Sequence, residues 1–64
     1  MENKLKHDIL TVVSMGVMVK RRALNMLHPS PKYVEKCVSE MYADKLIRRA
    51  PHRIVRLGPE ARAE

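Results

Sequence analysis

A helix break followed at once by a helix start limits how this chain can fold more than any other feature. His28-Pro29 must end a helix, because proline disfavours helical geometry in the residue before it and cannot continue the hydrogen-bond ladder. Ser30 is a favoured N-cap residue, and Pro31 suits the first helical position. We therefore expect one helix to end before Pro29 and another to begin at Pro31.

The helix expected from Pro31 to Asp44 is amphipathic. Its buried stripe has the i, i+3, i+4, i+7 spacing of one helical face and consists of Val34, Cys37, Val38 and Met41. The opposite face is polar, small and basic and carries Lys32, Lys36, Ser39 and Ala43. Glu35 and Glu40 flank this face around the helix. Tyr33 and Tyr42 lie beside the stripe and are expected at the edge of the core. Cys37 is expected to serve as core packing.

Two runs rich in aliphatic residues and arginine follow this helix. They are Leu46 to Arg49 and Arg53 to Leu57, and Ala50-Pro51-His52 separates them. Three intervening residues suit a tight β-hairpin. Gly58-Pro59-Glu60 then ends the second strand and is compatible with a brief helical turn.

A first helix is expected near the N-terminus, from about Lys4 to Met15. Asn3 is a suitable cap, and the apolar residues that recur at helical spacing are Leu5, Ile9, Val12 and Val13. Gly16 is expected to end the helix in the left-handed conformation. The next three residues, Val17-Met18-Val19, are compatible with a short strand or with the entry to a second helix.

A short second helix is expected from Val19 to Leu27. At α-helical spacing, its buried face consists of Val19, Ala23, Met26 and Leu27, while Lys20, Arg21 and Asn25 point elsewhere. This helix should be basic outside and apolar inside.

The chain offers little for catalysis. A single domain spanning residues 1–64 is near the lower size limit for independent folding, so a deep enzymatic cleft is not expected. The sequence contains no nucleophile elbow, no phosphate-cradling glycine loop and no paired carboxylates in an apolar setting. His7, His28 and His52 are too scattered to indicate a metal site. We expect no enzyme activity, no cofactor and no metal.

The apolar run from Ile9 to Val19 does not indicate a membrane protein or an exported one. A bilayer span needs about 20 apolar residues, and Lys20-Arg21-Arg22 follows where a signal peptide would need small residues. With Cys37 as the only cysteine, no internal disulfide forms. We expect a cytoplasmic protein.

Positive charge dominates the sequence. Thirteen Lys and Arg against seven Asp and Glu give a net charge of +6, which favours a polyanionic partner. The segment from Lys45 to Leu57 contains five basic residues and no acid: Lys45, Arg48, Arg49, Arg53 and Arg56. Such a cluster suits phosphate contacts, and Lys20-Arg21-Arg22 adds a second one.

The expected order of helix, short helix, turn, helix and two-stranded hairpin is that of a winged helix-turn-helix domain, an α+β fold that is mostly α. YVEKCVSEMYADKLIRR followed by HRIVRLGPEARA resembles transcriptional regulators of the MarR and ArsR type, over about Lys20 to Arg62. The matching positions are Val34, Val38, Met41, Leu46-Ile47 and Arg56 to Glu60. Two positions depart from the family pattern, because Lys45 and Ala61 stand where glycine is usual. A left-handed backbone at Lys45 would be strained.

The resemblance implies a DNA-binding protein that is a small transcriptional regulator. The third helix would enter the major groove, and the arginine-rich wing would lie along the backbone. The residues assigned to DNA are Lys20, Arg21, Arg22, Ser30, Lys32, Tyr33, Lys36, Ser39, Arg48, Arg49, His52 and Arg53. Lys36 and Ser39 are the preferred base-reading residues, and Ser30 with the free N–H groups of the helix start suits a phosphate.

The expected partner is therefore double-stranded DNA, with a homodimer as an open possibility through the first helix or the residues after Pro59. No membrane and no small-molecule ligand are expected. Two alternatives remain open at this point: a winged-helix module that docks an acidic protein, and a non-specific DNA or RNA binder. Fold alone does not choose among them.

Overall fold

Two α-helices, a seven-residue 3₁₀-helix, three short strands and a single 3₁₀ turn (Pro51–Arg53) between the last two strands make up the computed structural model, which describes residues 2–16 and 18–61. They are α1 (Glu2–Met15), β1 (Val19–Lys20), the 3₁₀-helix (Arg21–Leu27), α2 (Pro31–Ala43), β2 (Ile47–Ala50) and β3 (Ile54–Leu57). The strands form one antiparallel sheet in the order β1-β3-β2. The chain is thus an α+β domain, mostly helical, as expected, but its sheet has three strands rather than two.

Helix α1 begins before the predicted start and ends without the predicted left-handed residue. Asn3 lies inside the helix, so its assignment as the cap was wrong. Gly16 has no positive φ. Its N–H donates to the Val12 carbonyl oxygen at 2.9 Å, and a Cβ at Gly16 would collide with the side chain of Val19. Glycine is needed here for close approach of β1, not for backbone conformation.

The second helix is a 3₁₀-helix, and this overturns its predicted buried face. Leu24 is fully buried, while Ala23 is exposed and Met26 is 88% exposed. A 3₁₀-helix has three residues per turn, so residues i and i+3 lie above one another. Burial follows that period from Arg21 through Leu24 to Leu27, the first and last being half-buried. The α-helical spacing assumed from the sequence therefore selected the wrong residues.

Helix α2 follows the prediction closely and ends one residue early. Ser30 is its N-cap, and its Oγ accepts the Tyr33 N–H at 3.3 Å. The predicted stripe of Val34, Cys37, Val38 and Met41 is buried. The role of Cys37 as core packing is confirmed.

The end of α2 uses a left-handed lysine. Lys45 has φ 63°, so the strained position expected from the sequence is present. The Lys45 N–H donates to the Tyr42 carbonyl at 3.1 Å and the Leu46 N–H to the Met41 carbonyl at 3.0 Å, which is the Schellman pattern. Gly58 packs directly on the Lys45 carbonyl, where a Cβ would collide. The exit from β3 is thus fastened to the turn after α2.

The hairpin is displaced by one residue from its predicted place. Its loop is Pro51-His52-Arg53, between paired Ala50 and Ile54. Strand β1 adds to the β3 edge through Val19 opposite Val55, so the strand alternative for this segment is correct at Val19, although Val17 lies outside the described residues. Because side chains alternate across a sheet, Lys20, Arg48 and Arg56 lie on the face opposite to that of Val19 and Val55.

The core lies between α1, α2, the 3₁₀-helix and one face of the sheet. It consists of Leu5, Ile9, Val13, Leu24, the α2 stripe, Ile47 and Val55, all buried. Val12 is only half-buried, and Tyr33 and Tyr42 pack at the core edge as predicted. A salt bridge of 2.8 Å between Lys6 Nζ and Glu40 Oε1 ties α1 to α2 on the surface.

Candidate nucleic-acid interface

Two basic segments that are 30 residues apart in sequence meet at the hairpin end of the sheet. Lys20 pairs with Ile54, the residue that directly follows the hairpin loop. The start of the 3₁₀-helix therefore lies beside the loop tip. Together they line a concave site of about 360 Å³ formed by Lys20, Arg21, Arg22, Asn25, His52 and Arg53. We call this site the basic pocket.

The described side chains that line the basic pocket are all positive or neutral. Within residues 2–16 and 18–61, no acidic residue lines this pocket, and Lys20, Arg22, His52 and Arg53 are exposed. Arg21 is half-buried, and its Nη1 donates to Asn25 Oδ1 at 3.1 Å. Asn25, which the sequence assignment omitted, orients this guanidinium; the only sequence signal for it was the spacing of four residues. An open, acid-free cluster of this kind suits phosphates on an extended polyanion.

The loop that brings His52 and Arg53 to the pocket adopts a costly backbone conformation. His52 has φ 64° and ψ 29°, and Arg53 has φ 62°. Consecutive positive φ values are typical of hairpin turns that match the strand twist. For non-glycine residues the left-handed conformation costs about 1–2 kcal/mol each. The rest of the hairpin, including the three-stranded pairing, must hold the loop in this shape.

The exposed face of α2 is chemically mixed. Lys32, Lys36 and Ser39 are exposed, as predicted. Glu40 borders them, and the hydrogen bond from Lys6 lowers the pKa of its carboxyl, with further lowering by the positive charges of Lys6 and Lys36. The positive charge of Lys36 is therefore partly offset by the carboxylate of Glu40. This face offers an anion less net attraction than the basic pocket.

The residues at the start of α2 bind one another. The Ser30 N–H donates to His28 Nδ1 at 3.0 Å, while Ser30 Oγ caps the helix. The rings of His28 and Tyr33 lie 4.7 Å apart between centroids, and Tyr33 packs against the core. Ser30 and Tyr33 thus shape the helix start, together with His28, which was not predicted to take part in it.

Arg48 and Arg49 lie outside the basic pocket. The guanidinium of Arg49 sits 4.0 Å above the ring of Tyr42, so this tyrosine is a stacking platform as well as a core-edge residue. Arg48 lies directly opposite Arg56 on the outer face of the sheet. Like charges in directly opposed positions repel, so a bound anion would relieve the repulsion between these two arginines.

Comparisons of the chain with protein-family models, curated proteins and solved structures found no match. Within residues 2–16 and 18–61, no helix has the length and apolar character needed to cross a membrane. The same part of the chain contains no group of three or more His, Cys, Asp or Glu arranged to hold a metal ion. The basic pocket is the strongest candidate site on this geometry.

Proposed function

We propose that this protein is a winged-helix domain that binds double-stranded DNA and acts as a small cytoplasmic transcriptional regulator. The observation that carries the proposal is the meeting of Lys20-Arg21-Arg22 with His52-Arg53 in one pocket, where no acid is found among the described lining residues. Neutralising DNA phosphates with such cations releases condensed counterions, which is the main source of sequence-independent affinity. Backbone gripping by the basic pocket is therefore the central element of this function.

The element order supports the winged-helix interpretation. A helix, a short strand, two further helices and a hairpin follow one another, and the first strand joins the sheet beside the returning hairpin strand. The left-handed backbone at Lys45 is consistent with the resemblance to MarR-type and ArsR-type regulators, since that family has glycine there. In this arrangement α2 is the recognition helix and the β2–β3 hairpin is the wing.

On this proposal the two parts contribute differently. The wing tip and the 3₁₀-helix hold phosphates, whereas α2 presents Lys32, Lys36 and Ser39 to base edges in the major groove. Glu35 and Glu40 beside them weaken the attraction of α2 to DNA. We therefore expect substantial binding to any duplex and only modest preference among sequences.

Fluorescence anisotropy with a labelled random-sequence duplex tests the proposal. If the four cations of the basic pocket each neutralise one phosphate, log K should fall against log salt with a slope of about −3 to −4. Absence of binding at low salt would contradict the proposal. A single-stranded DNA and an RNA hairpin of equal length are the comparison ligands, and stronger binding to either would favour the non-specific alternative over duplex recognition.

A further inference from the structure

A second concave surface, next to the basic pocket, is largely apolar and exposed. It has a volume of about 640 Å³ and is lined by Val12, Met18, Val19, Lys20, Arg22, Ala23 and Met26. Met18 is 68% exposed and Met26 is 88% exposed. Contiguous exposed apolar surface bordered by polar residues is typical of protein contacts. We call this surface the methionine groove.

The exposure of Met26 follows from the local fold. The 3₁₀-helix buries Leu24 and turns Met26 outward, whereas an α-helix would have turned Met26 toward the core. The half-buried side chains of Val12 and Val19 line the same surface and form the apolar floor of the groove, while the two methionines are exposed. Methionine side chains are flexible and polarizable, so they adapt to apolar side chains of a partner.

The positive charge at the methionine groove favours an acidic occupant. Among the described residues that line it, only Lys20 and Arg22 are charged, and both are exposed. A second copy of the chain, which carries a net charge of +6, would bring these cations toward their own equivalents in a two-fold contact. An amphipathic helix with carboxylates beside an apolar face complements both the floor and the rim.

We propose that the methionine groove docks an acidic amphipathic helix of another protein, and that this docking competes with nucleic acid. Lys20 and Arg22 line both the groove and the basic pocket. A carboxylate that engages them leaves two fewer cations for phosphates. The docking itself stands on the groove alone, whereas the competition rests on the proposed DNA-binding function.

Selection from a displayed library of random 16-residue peptides on the immobilised full chain tests the docking. A selected peptide is then titrated into wild type, Met26→Glu and Met15→Glu. Met15 is 79% exposed but does not line the groove, so its variant controls for the added negative charge. Circular dichroism checks that both variants retain the fold.

The expected peptides combine Asp or Glu with apolar residues at spacings of three and four. Met26→Glu should weaken binding at least tenfold, and Met15→Glu less than threefold. Equal binding to wild type and Met26→Glu, or selection of peptides without acidic residues, would overturn the docking. Sedimentation of wild type as a dimer that Met26→Glu dissociates would also overturn it, because the occupant would then be a second copy.

Addition of the same peptide to the complex with labelled duplex tests the competition. Release of the duplex at peptide concentrations near the measured Kd is expected. Retention of the duplex on the peptide-saturated protein would disprove the competition while leaving the docking intact. If wild type bound no duplex at all, the proposed function would fail, and the direct peptide titration would still decide the docking.

Discussion

The basic pocket and the exposed face of α2 carry similar side chains but are built in different ways. The pocket collects Lys20, Arg21, Arg22 and Arg53 from two distant segments, and the part of the chain that the structure describes adds no acid to it. The face of α2 alternates Lys32 and Lys36 with acids along one helix. Because a polyanion responds to net field more than to any single residue, the assembled pocket should dominate affinity. On the proposed DNA-binding function, the helix face has the smaller task of discriminating among sequences.

The two regions also differ in how they are held. Helix α2 has a side-chain cap at Ser30 and a buried stripe along its whole length. The 3₁₀-helix begins at Arg21, its N-cap residue Lys20 makes no side-chain capping hydrogen bond, and Leu24 is its single fully buried residue. The region with the stronger charge therefore has the weaker local support.

The largest expected effect is on the free energy of unfolding, when the buried residue of the 3₁₀-helix beside the basic pocket is truncated. Leu24→Ala should lower the free energy of unfolding by about 2–5 kcal/mol, since it opens a cavity at a fully buried site. Met26→Ala should change it by less than about 0.5 kcal/mol, because that side chain is exposed. Urea denaturation followed by circular dichroism measures both. Equal losses from the two variants would mean that the three-residue burial period is wrong.

The two helix starts should respond oppositely in stability and in binding. Ser30→Ala removes the cap of α2 and should cost about 1 kcal/mol of unfolding free energy. Lys20→Ala removes no cap and should cost less than about 0.5 kcal/mol, yet it should weaken duplex binding more than Ser30→Ala does. The same denaturation assay, paired with anisotropy, checks this. A larger effect of Ser30→Ala on duplex affinity would place the phosphate site at the start of α2.

Much of α2 could be predicted because its signals are local. The proline before the cap, the serine and the stripe of Val34, Cys37, Val38 and Met41 all lie within one stretch of chain. These signals can be recognised without knowing any contact to a distant part of the chain. The prediction failed at the 3₁₀-helix. The spacing of Val19, Ala23 and Met26 fits an α-helix, but Val19 belongs to β1, and the residues from Arg21 to Leu27 follow a period of three.

The basic pocket could be predicted as a set of residues but not as a site. The positive charge of Lys20-Arg21-Arg22 and of the hairpin was evident from the sequence. These two clusters meet only because β1 pairs with β3, and a strand of two residues is too short to be recognised from sequence. The left-handed loop at His52 and Arg53 also lacks the glycine that normally signals such a turn. The stacking of Arg49 on Tyr42 is likewise a tertiary contact with no local signal.

A single substitution type should have opposite effects at two positions of the α2 region. Lys45→Gly relieves a left-handed lysine and should raise the free energy of unfolding by about 0.5–1 kcal/mol. Lys36→Gly places glycine inside the helix and should lower it by about 1 kcal/mol. Thermal denaturation compares the two. If both variants lost stability equally, the backbone at Lys45 would carry no strain that glycine relieves.

The smallest effect concerns the acid beside the α2 face. The pKa of Glu40 is lowered from its ordinary value of 4.5, first by the hydrogen bond from Lys6. A lowered folded-state pKa contributes stability above the unfolded pKa, and that contribution is lost as the pH falls through the folded-state pKa. Glu40→Gln should therefore flatten part of the stability loss below about pH 4.5, and Glu35→Gln is the charge-matched control. Parallel urea midpoints for wild type and Glu40→Gln between pH 7 and pH 3 would contradict this coupling.

The most direct test compares two double variants that remove the same charge from the two regions. Arg22→Gln with Arg53→Gln alters the basic pocket, and Lys32→Gln with Lys36→Gln alters the face of α2. With a random-sequence duplex, the pocket variant should reduce the steepness of log K against log salt by about 2, and it should lose more affinity than the α2 variant at every salt concentration. Equal losses from both variants, or a larger loss from the α2 variant, would contradict the pocket as the main grip on DNA.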